Sequence, residues 1–425
     1  CPANNISGIL TTMRENSSQY FVGIDIGTSA TRCVIGSYDS SSEEPTMSVV
    51  GYGSSPNSGM RKGVIVHLDE VAGSIHEAIV EAERISGIRV ENATVNINGS
   101  HVSSLDSRGV IAISTASKEI SNDDRIRVQE AATIVQLPSN REIIQVFPKN
   151  YQVDGHDSIK DPVGMQGVRL EVEAHIITAA TPNLRSLDLA LQKSNIYPTN
   201  HTTSGLAAAE VVLSRKQREA GGAVIDIGAS TTNIAVIEDG EIQYVGVIPM
   251  GGINITNDLA IGLKVDLEIA EKVKLKHAAL AGAGKNGRLS VVHEKRNYVF
   301  ESDDIQMIVE ARVEEIFDYV DKELKKIHRS QKLPGGVVLV GGTSKIPGIA
   351  EFAKNQLELP SKVGEIGKIS GITDDIQDTG FITAVGLMQL DMIFGGQAYD
   401  AGQGGPGGAG GMGTLIREVW SKIRP

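Results

Sequence analysis

The sequence predicts an α/β chain of two related halves facing one another across a cleft, with a small α+β unit inserted. Two observations carry that expectation. The stretch FVGIDIGTSATRCVIG at residues 21–36 returns in outline as AVIDIGASTTNIAVIEDG at residues 223–240. Each copy is an apolar, β-branched run, then Asp-Ile-Gly, then small hydroxyl residues and a second apolar run, which is the pattern of two strands joined by a tight turn. Asp25 and Asp226 stand at equivalent points, 201 positions apart. The second observation is a strand-like run at residues 337–340 that opens into Gly341-Gly342-Thr343-Ser344-Lys345-Ile346-Pro347-Gly348. Glycine in such turns allows the backbone to approach a bulky ligand closely. Successive N–H groups around Gly27 and Gly228, with the hydroxyls of Thr28, Ser29, Ser230, Thr231 and Thr232, suit phosphate oxygens. Asp25 and Asp226 suit a hydrated Mg²⁺, which keeps several waters and takes one or two carboxylates. One hairpin of this kind is ordinary. Two imply half-molecules that clamp a single nucleotide.

Composition narrows the setting. A chain of 425 residues holds two or more domains. A net charge of −12 argues against nucleic-acid binding. Cys1 and Cys33 make no disulfide framework; Cys33 falls inside the first hairpin and reads as a small core residue in a reducing, cytoplasmic setting. No apolar run has the length of a membrane span, and the first twenty residues lack the basic start and apolar stretch of a signal peptide. Residues 1–19 are expected to form a disordered leader, with Met13 as a plausible true start.

Along the chain, the first hairpin is followed by an apolar run at residues 47–52 and a helix near residues 68–86. Val71, Ile75, Ala78, Ile79 and Ala82 share one face of that helix, and Gly87 closes it. Strand signals follow at residues 93–98 and 110–114. A helix then starts at the N-cap Ser121 with Asp123 and Asp124 in its first turn. A strand at residues 142–147 and a long alternating run ending at Thr178 complete this region. It holds no Cys/His cluster, and His101, His156 and His175 are too scattered for a metal site. Helices near residues 183–193 and 204–213 lead to the second hairpin. Beyond it lie Gly251-Gly252, a helix carrying Ala270-Glu271-Lys272-Val273-Lys274, and a charge-rich helix at residues 304–329 that reads as a solvated face. Gly284-Lys285 is no Walker loop, because Asn286 follows the lysine. Residues 379–387 supply one more helix.

The ending differs. Ten of the nineteen residues at 395–413 are glycine, so this stretch is expected to be a flexible linker, spanning roughly 20–25 Å root-mean-square. Residues 414–425 read as a helix capped by Thr414. Leu415, Ile416, Val419, Trp420 and Ile423 share one face, with Arg417, Lys422 and Arg424 on the polar side. Such a helix suits an anionic membrane surface; docking onto a protein is the alternative.

Taken in order, these stations resemble the actin, Hsp70 and sugar-kinase ATPase superfamily. The resemblance implies an actin-like ATPase fold, two RNase H-like halves around a nucleotide cleft, and ATP with Mg as cofactors. It implies that Gly341, Gly342, Thr343 and Ser344 lie against adenosine, that Glu271 and Lys274 reach the ribose and adenine edge, and that Gly251 and Gly252 contact nucleotide. With Asp25, Gly27, Thr28, Ser29, Asp226, Gly228, Ala229, Ser230, Thr231 and Thr232 they make the expected cofactor site, and Asp25 and Asp226 hold the metal through water. The inserted region, its opening GSHVSSLDSRGVIAIS and the phrase IKDPVGMQGVRLEVEAHIIT at residues 159–178 look like the FtsA family of bacterial actin-like cell-division proteins. The implied division is 20–87, 165–196 and 377–394 for subdomain 1A, 88–164 for the insert 1C, 197–252 and 331–376 for 2A, and 253–330 for 2B. The family implies polymerisation, tethering of the tubulin-like protein FtsZ to the cytoplasmic membrane at the division site, and recruitment of other division proteins. A PilM-like pilus adaptor and an ATP-driven kinase or chaperone engine are the alternatives. Catalysis has no assigned residue. Ala229 and Asn233 depart from the superfamily's second loop, and Glu210 is the nearest acid for activating water, so slow ATP turnover is expected.

Overall fold

The computed structural model describes residues 19–39, 46–367, 369–372 and 376–400. The duplication seen in the sequence is a duplication of topology. In the first half, strands Gln19–Ile26, Ala30–Asp39 and Thr46–Pro56 form an antiparallel meander. Asn92–Asn96 and then Tyr197–Thr202 add in parallel beside the first of them. In the second half, Gly222–Ile227, Thr232–Glu238 and Glu241–Ile248 form the same meander, and Gly336–Val340 and Ser361–Val363 add in parallel on the same side. The first sheet also gains the short edge strand Ser370–Gly371 beside Thr46–Pro56.

The first strand of each copy is a near-continuous apolar run because helices or the opposite half cover it. Helix Leu68–Ser86 lies across Thr46–Pro56, and glycine sets the separation: a Cβ on Gly53 would collide with the carbonyl oxygen of Ala78. Its buried stripe is Val71, Ala72, Ser74, Ile75, Ala78, Ile79 and Ala82, and Gly87 ends it at φ +71 with its N–H on Glu83 O. Helix Ile382–Asp400 packs on the first strand and on helix Ser204–Val212, which joins the halves. A Cβ on Gly386 would strike Ala207 O. One core runs beneath the first sheet and reaches into the second half through Val224, Ala235 and Val338. A second fills the space between the other face of the second sheet and helices Gly252–Leu263, Leu267–His277 and Ser302–Lys326. That last helix is amphipathic: Ile305, Val309, Val313, Ile316, Phe317, Val320 and Leu324 are buried, and the ion pairs lie along its other side.

The inserted unit is a sheet in the order Ser103–Ala112, Arg169–Ala180, Arg141–Val153, His156–Ile159, with helix Asn122–Ala132 on one face. Ser121 caps that helix through a full capping box with Asp124. The expected boundaries 88–164 need correction here. Asn92–Asn96 belongs to the first half's sheet, whereas Arg169–Ala180 is a central strand of the insert, paired on both sides. Likewise Tyr197–Thr202, expected in the second half, pairs with Asn92–Asn96, and Ser370–Gly371 pairs with Thr46–Pro56. Local apolar pattern marks a strand, not which sheet it joins.

Helix Ile382–Asp400 also runs through residues 395–400, which the composition assigns to the linker. The anchored turns before it propagate a helix into Gly395-Gly396-Gln397-Ala398-Tyr399-Asp400, where no proline stops it. The rest of the linker, the segment 414–425 and the leader up to residue 18 lie outside the described residues.

Candidate functional site

Both hairpin turns have the same backbone. Gly27 N–H bonds to Ala30 O at 3.1 Å, and Gly228 N–H bonds to Thr231 O at 2.9 Å. The two turns face each other: Thr28 Oγ1 and Ser230 Oγ are 2.6 Å apart, although 202 positions separate them in the chain. Behind them the first strands bring Asp25 and Asp226 together, 9% and 7% exposed. Burial pushes the Asp25 carboxyl up to about 6, against the pull of Arg32 and of a hydrogen bond from Asn96. Burial, followed by the neighbouring charge of Asp25, pushes Asp226 up to about 7, against Arg32 and Asn233. A buried carboxylate whose neighbour's charge raises it further favours an additional cation beside the pair. This donor set, carboxylates beside open turns, would suit a hydrated Mg²⁺. Among the described residues no group of three or more His, Cys, Asp or Glu is assembled as a metal cage.

The second half completes the site. Gly252 N–H bonds to Gly228 O at 2.9 Å and Ile253 N–H to Ala229 O at 2.7 Å, so the start of helix Gly252–Leu263 is tied to the second turn. Thr343 Oγ1 donates to Gly228 O at 3.1 Å. Gly341 has φ +85, and a Cβ there would collide with Asp226 Oδ1, so the strand end and the carboxylate share a space that only glycine allows. Gly342 has open space where a Cβ would stand. On helix Leu267–His277, Lys274 Nζ reaches Gly252 O at 3.2 Å, Thr256 Oγ1 at 2.8 Å and Glu271 Oε2 at 2.7 Å. Glu271, Lys274, Gly251, Gly252 and Thr343 therefore sit at one wall with the second turn.

Not every expected hydroxyl faces the cleft freely. Thr232 Oγ1 donates to Met250 O at 2.9 Å, and buried Ser344 donates to Gly341 O at 2.7 Å, so both shape their own turns. Ser29 is exposed, and its carbonyl receives Asn57 N–H at 3.0 Å. Glu210 is bound to Arg218 at 3.0 Å, so it is already engaged by a cation.

Three residues of the site escaped the sequence reading. Arg32 pairs with Asp25 across the first hairpin, as Asn233 pairs with Asp226 across the second; counting outward from each turn would have found it. Its guanidinium lies 5.5 Å from the Phe381 ring centroid and lowers Asp25, Asp226 and Asp378 together. Asn57 braces the first turn by donating to Gly27 O at 2.8 Å. Asn96 touches Asp25 directly, at 2.5 Å. Nothing local in the sequence marks either asparagine. A separate groove of about 580 Å³ lies on the insert's sheet, lined by residues including Asp106, Arg108, Glu171 and Glu173; its buried Glu171 is paired with Arg108 and Arg169.

Comparison with known proteins follows the same outline. Residues 99–178 match the family model described as "SHS2 domain inserted in FTSA", and residues 223–386 match "Cell division protein FtsA". A curated cell division protein FtsA of Bacillus subtilis (strain 168) is 38% identical over 378 residues, which is 88% of this chain and 84% of that protein. Among solved structures, a PilM–PilN type IV pilus biogenesis complex superposes with a TM-score of 0.63 at 17% identity, covering 87% of this chain and 98% of that one. MreB5 of Spiroplasma citri bound to ADP superposes at 0.54 and 12% identity, covering 91% and 99%. At these identities the two structures speak for the fold alone, and that fold is actin-like.

Proposed function

Because this chain belongs to the cell division protein FtsA family, we propose that it is an ATP-binding, actin-like division protein. In this reading it polymerises, anchors the tubulin-like protein FtsZ to the cytoplasmic face of the membrane at the division site, and recruits later division proteins. The observation that carries the nucleotide part is the apposition of the two turns through Thr28 and Ser230 over a pair of buried carboxylates. Phosphates would lie against the N–H groups of both turns, with Mg²⁺ held through water by Asp25 and Asp226 and the adenosine beside Gly341, Gly342 and Lys274. When bound, the metal would offset the charge of the phosphates and of the two carboxylates. The membrane part rests on the apolar face Leu415, Ile416, Val419, Trp420 and Ile423 with Arg417, Lys422 and Arg424 beside it. Among the described residues no helix is long and apolar enough to cross a membrane.

Sedimentation with anionic lipid vesicles, with and without Mg²⁺–ATP, tests these parts together. The expected result is ATP-dependent pelleting with the vesicles and retention of FtsZ in the same pellet. Pelleting that ignores ATP, or retention of pilus proteins in place of FtsZ, would reverse the reading.

A further inference from the structure

Asn96 stands at the end of strand Asn92–Asn96, the parallel neighbour of the strand that carries Asp25. It is 2% exposed, and both ends of its amide are occupied. Oδ1 accepts from Ile26 N–H at 2.7 Å. Nδ2 donates to Asp25 Oδ1 at 2.5 Å and to Ser204 Oγ at 3.0 Å. Two residues on, Asn98 accepts from Ser204 N–H at 3.2 Å and donates to Ser204 Oγ at 2.6 Å. Ser204 opens helix Ser204–Val212, which joins the two halves. One side chain thus touches the first turn's backbone, its carboxylate and the start of the linking helix.

We propose that Asn96 is a positioning residue of the nucleotide clamp, which orients the Asp25 carboxylate toward a hydrated Mg²⁺ and ties that carboxylate to the linking helix. The proposal rests on the reading of Asp25 as a holder of the metal–nucleotide complex. Three arguments support it. The terminal torsion of an aspartate is broad and roughly two-fold, so a carboxylate with no partner samples many orientations. Asn96 removes that freedom, and its own amide cannot turn over, because a flip would set NH₂ against Ile26 N–H and oxygen against the carboxylate. The donor is also neutral. A lysine or arginine in this place would add a second cation beside Arg32 to compete with a metal for the carboxylate charge, whereas an amide fixes one oxygen and adds no charge. Outer partners of metal-holding carboxylates act in this way, and their loss lowers metal affinity about 10–100-fold.

The test measures ATP affinity of the full chain by calorimetry, once with Mg²⁺ and once with EDTA, and takes the ratio as the metal's contribution. Asn96→Leu keeps the volume and removes every polar contact. The expected result is a metal contribution reduced about tenfold or more, with affinity in EDTA unchanged. Asn96→Ala serves the same measurement if the leucine variant does not fold. An equal loss in both buffers would show that Asn96 only supports the fold, and an unchanged ratio would show that Asp25 needs no orientation; either overturns the proposal. Asp25→Ala separates the two layers. If it abolishes the metal contribution while the Asn96 variants keep it, the positioning role fails and the metal site stands; if Asp25→Ala itself keeps that contribution, both fall.

Discussion

Asp25, Asp226 and Asp391 are all buried carboxylates, and their surroundings differ. Asp25 and Asp226 are buried beside each other at the cleft, and the charge of Asp25 raises Asp226, so a cation held between them would lose a partner if either were removed. Asp25→Ala is expected to weaken Mg²⁺–ATP retention, and equal affinities of wild type and variant in Mg²⁺-containing calorimetry would contradict that assignment. Asp391 is a structural counterpart. It sits on helix Ile382–Asp400 and accepts from Val22 N–H at 3.0 Å, Thr94 Oγ1 at 2.8 Å and Thr199 Oγ1 at 2.7 Å, pinning the helix to the first sheet. Asp391→Ala leaves those donors without an acceptor, a loss of about 1–3 kcal/mol by the penalty for a buried unsatisfied group, read as a lowered urea midpoint. Burial raises the Asp391 carboxyl above the ordinary 3.8 despite its donors. A raised acid binds its proton more tightly when folded, so the stability it contributes is complete below the ordinary value and is lost as pH rises through its folded value. Asp391→Asn should remove that slope from the midpoint-versus-pH profile.

The elements show what can be read locally. Ser121 with Asp123 and Asp124 announced a helix start, and the structure holds a full capping box there. Ser121→Ala should destabilise the insert by about 1 kcal/mol and leave ATP affinity unchanged, measured by urea titration and calorimetry on the same sample. Both hairpins, the helix Leu68–Ser86 with its Gly87 stop and the strand Gly336–Val340 were legible for the same reason: turn chemistry, caps and periodicity act over a few residues. Membership of sheets was not. Asn92–Asn96, Arg169–Ala180 and Tyr197–Thr202 carry no local mark of the sheet they join, and only pairing with distant strands separates insert from body. The site divides in the same way. The glycines and hydroxyls of the turns repeat in the sequence, and Arg32 can be found by counting outward from the turn, whereas Asn57 and Asn96 act through partners that only the fold supplies. The second hairpin also bears on hydrolysis. Ala229 and Asn233 replace a glycine and a carboxylate expected of a fast ATPase loop, and Glu210 is bound to Arg218. Steady-state phosphate release should therefore be slow or undetectable, while a vigorous rate abolished by Asp226→Ala would sink this expectation.

At the scale of the whole molecule, attachment to a membrane should depend on assembly, and the size of the tail is the reason. Fully burying a Leu, Ile or Val side chain is worth about 1.5–3 kcal/mol, but an interfacial helix buries its residues only in part. A twelve-residue peptide at 414–425 must also fold against an unfavourable nucleation step. Arg417, Lys422 and Arg424 add about 1 kcal/mol each near an anionic surface, reduced by Glu418 and by the repulsion of a chain carrying −12. One tail would therefore hold one molecule only marginally. A filament would present many tails to the same surface, and each bound neighbour would raise the effective concentration of the next. A glycine-rich stretch of this composition before residue 414 would give each tail independent reach. Liposome co-sedimentation of dilute protein below its assembly threshold, set against ATP-assembled protein, decides the matter: filaments should pellet with vesicles at concentrations where monomer stays in solution. Equal binding by both forms would break the coupling, and filament binding that survives Trp420→Glu would show that the tail is not the anchor.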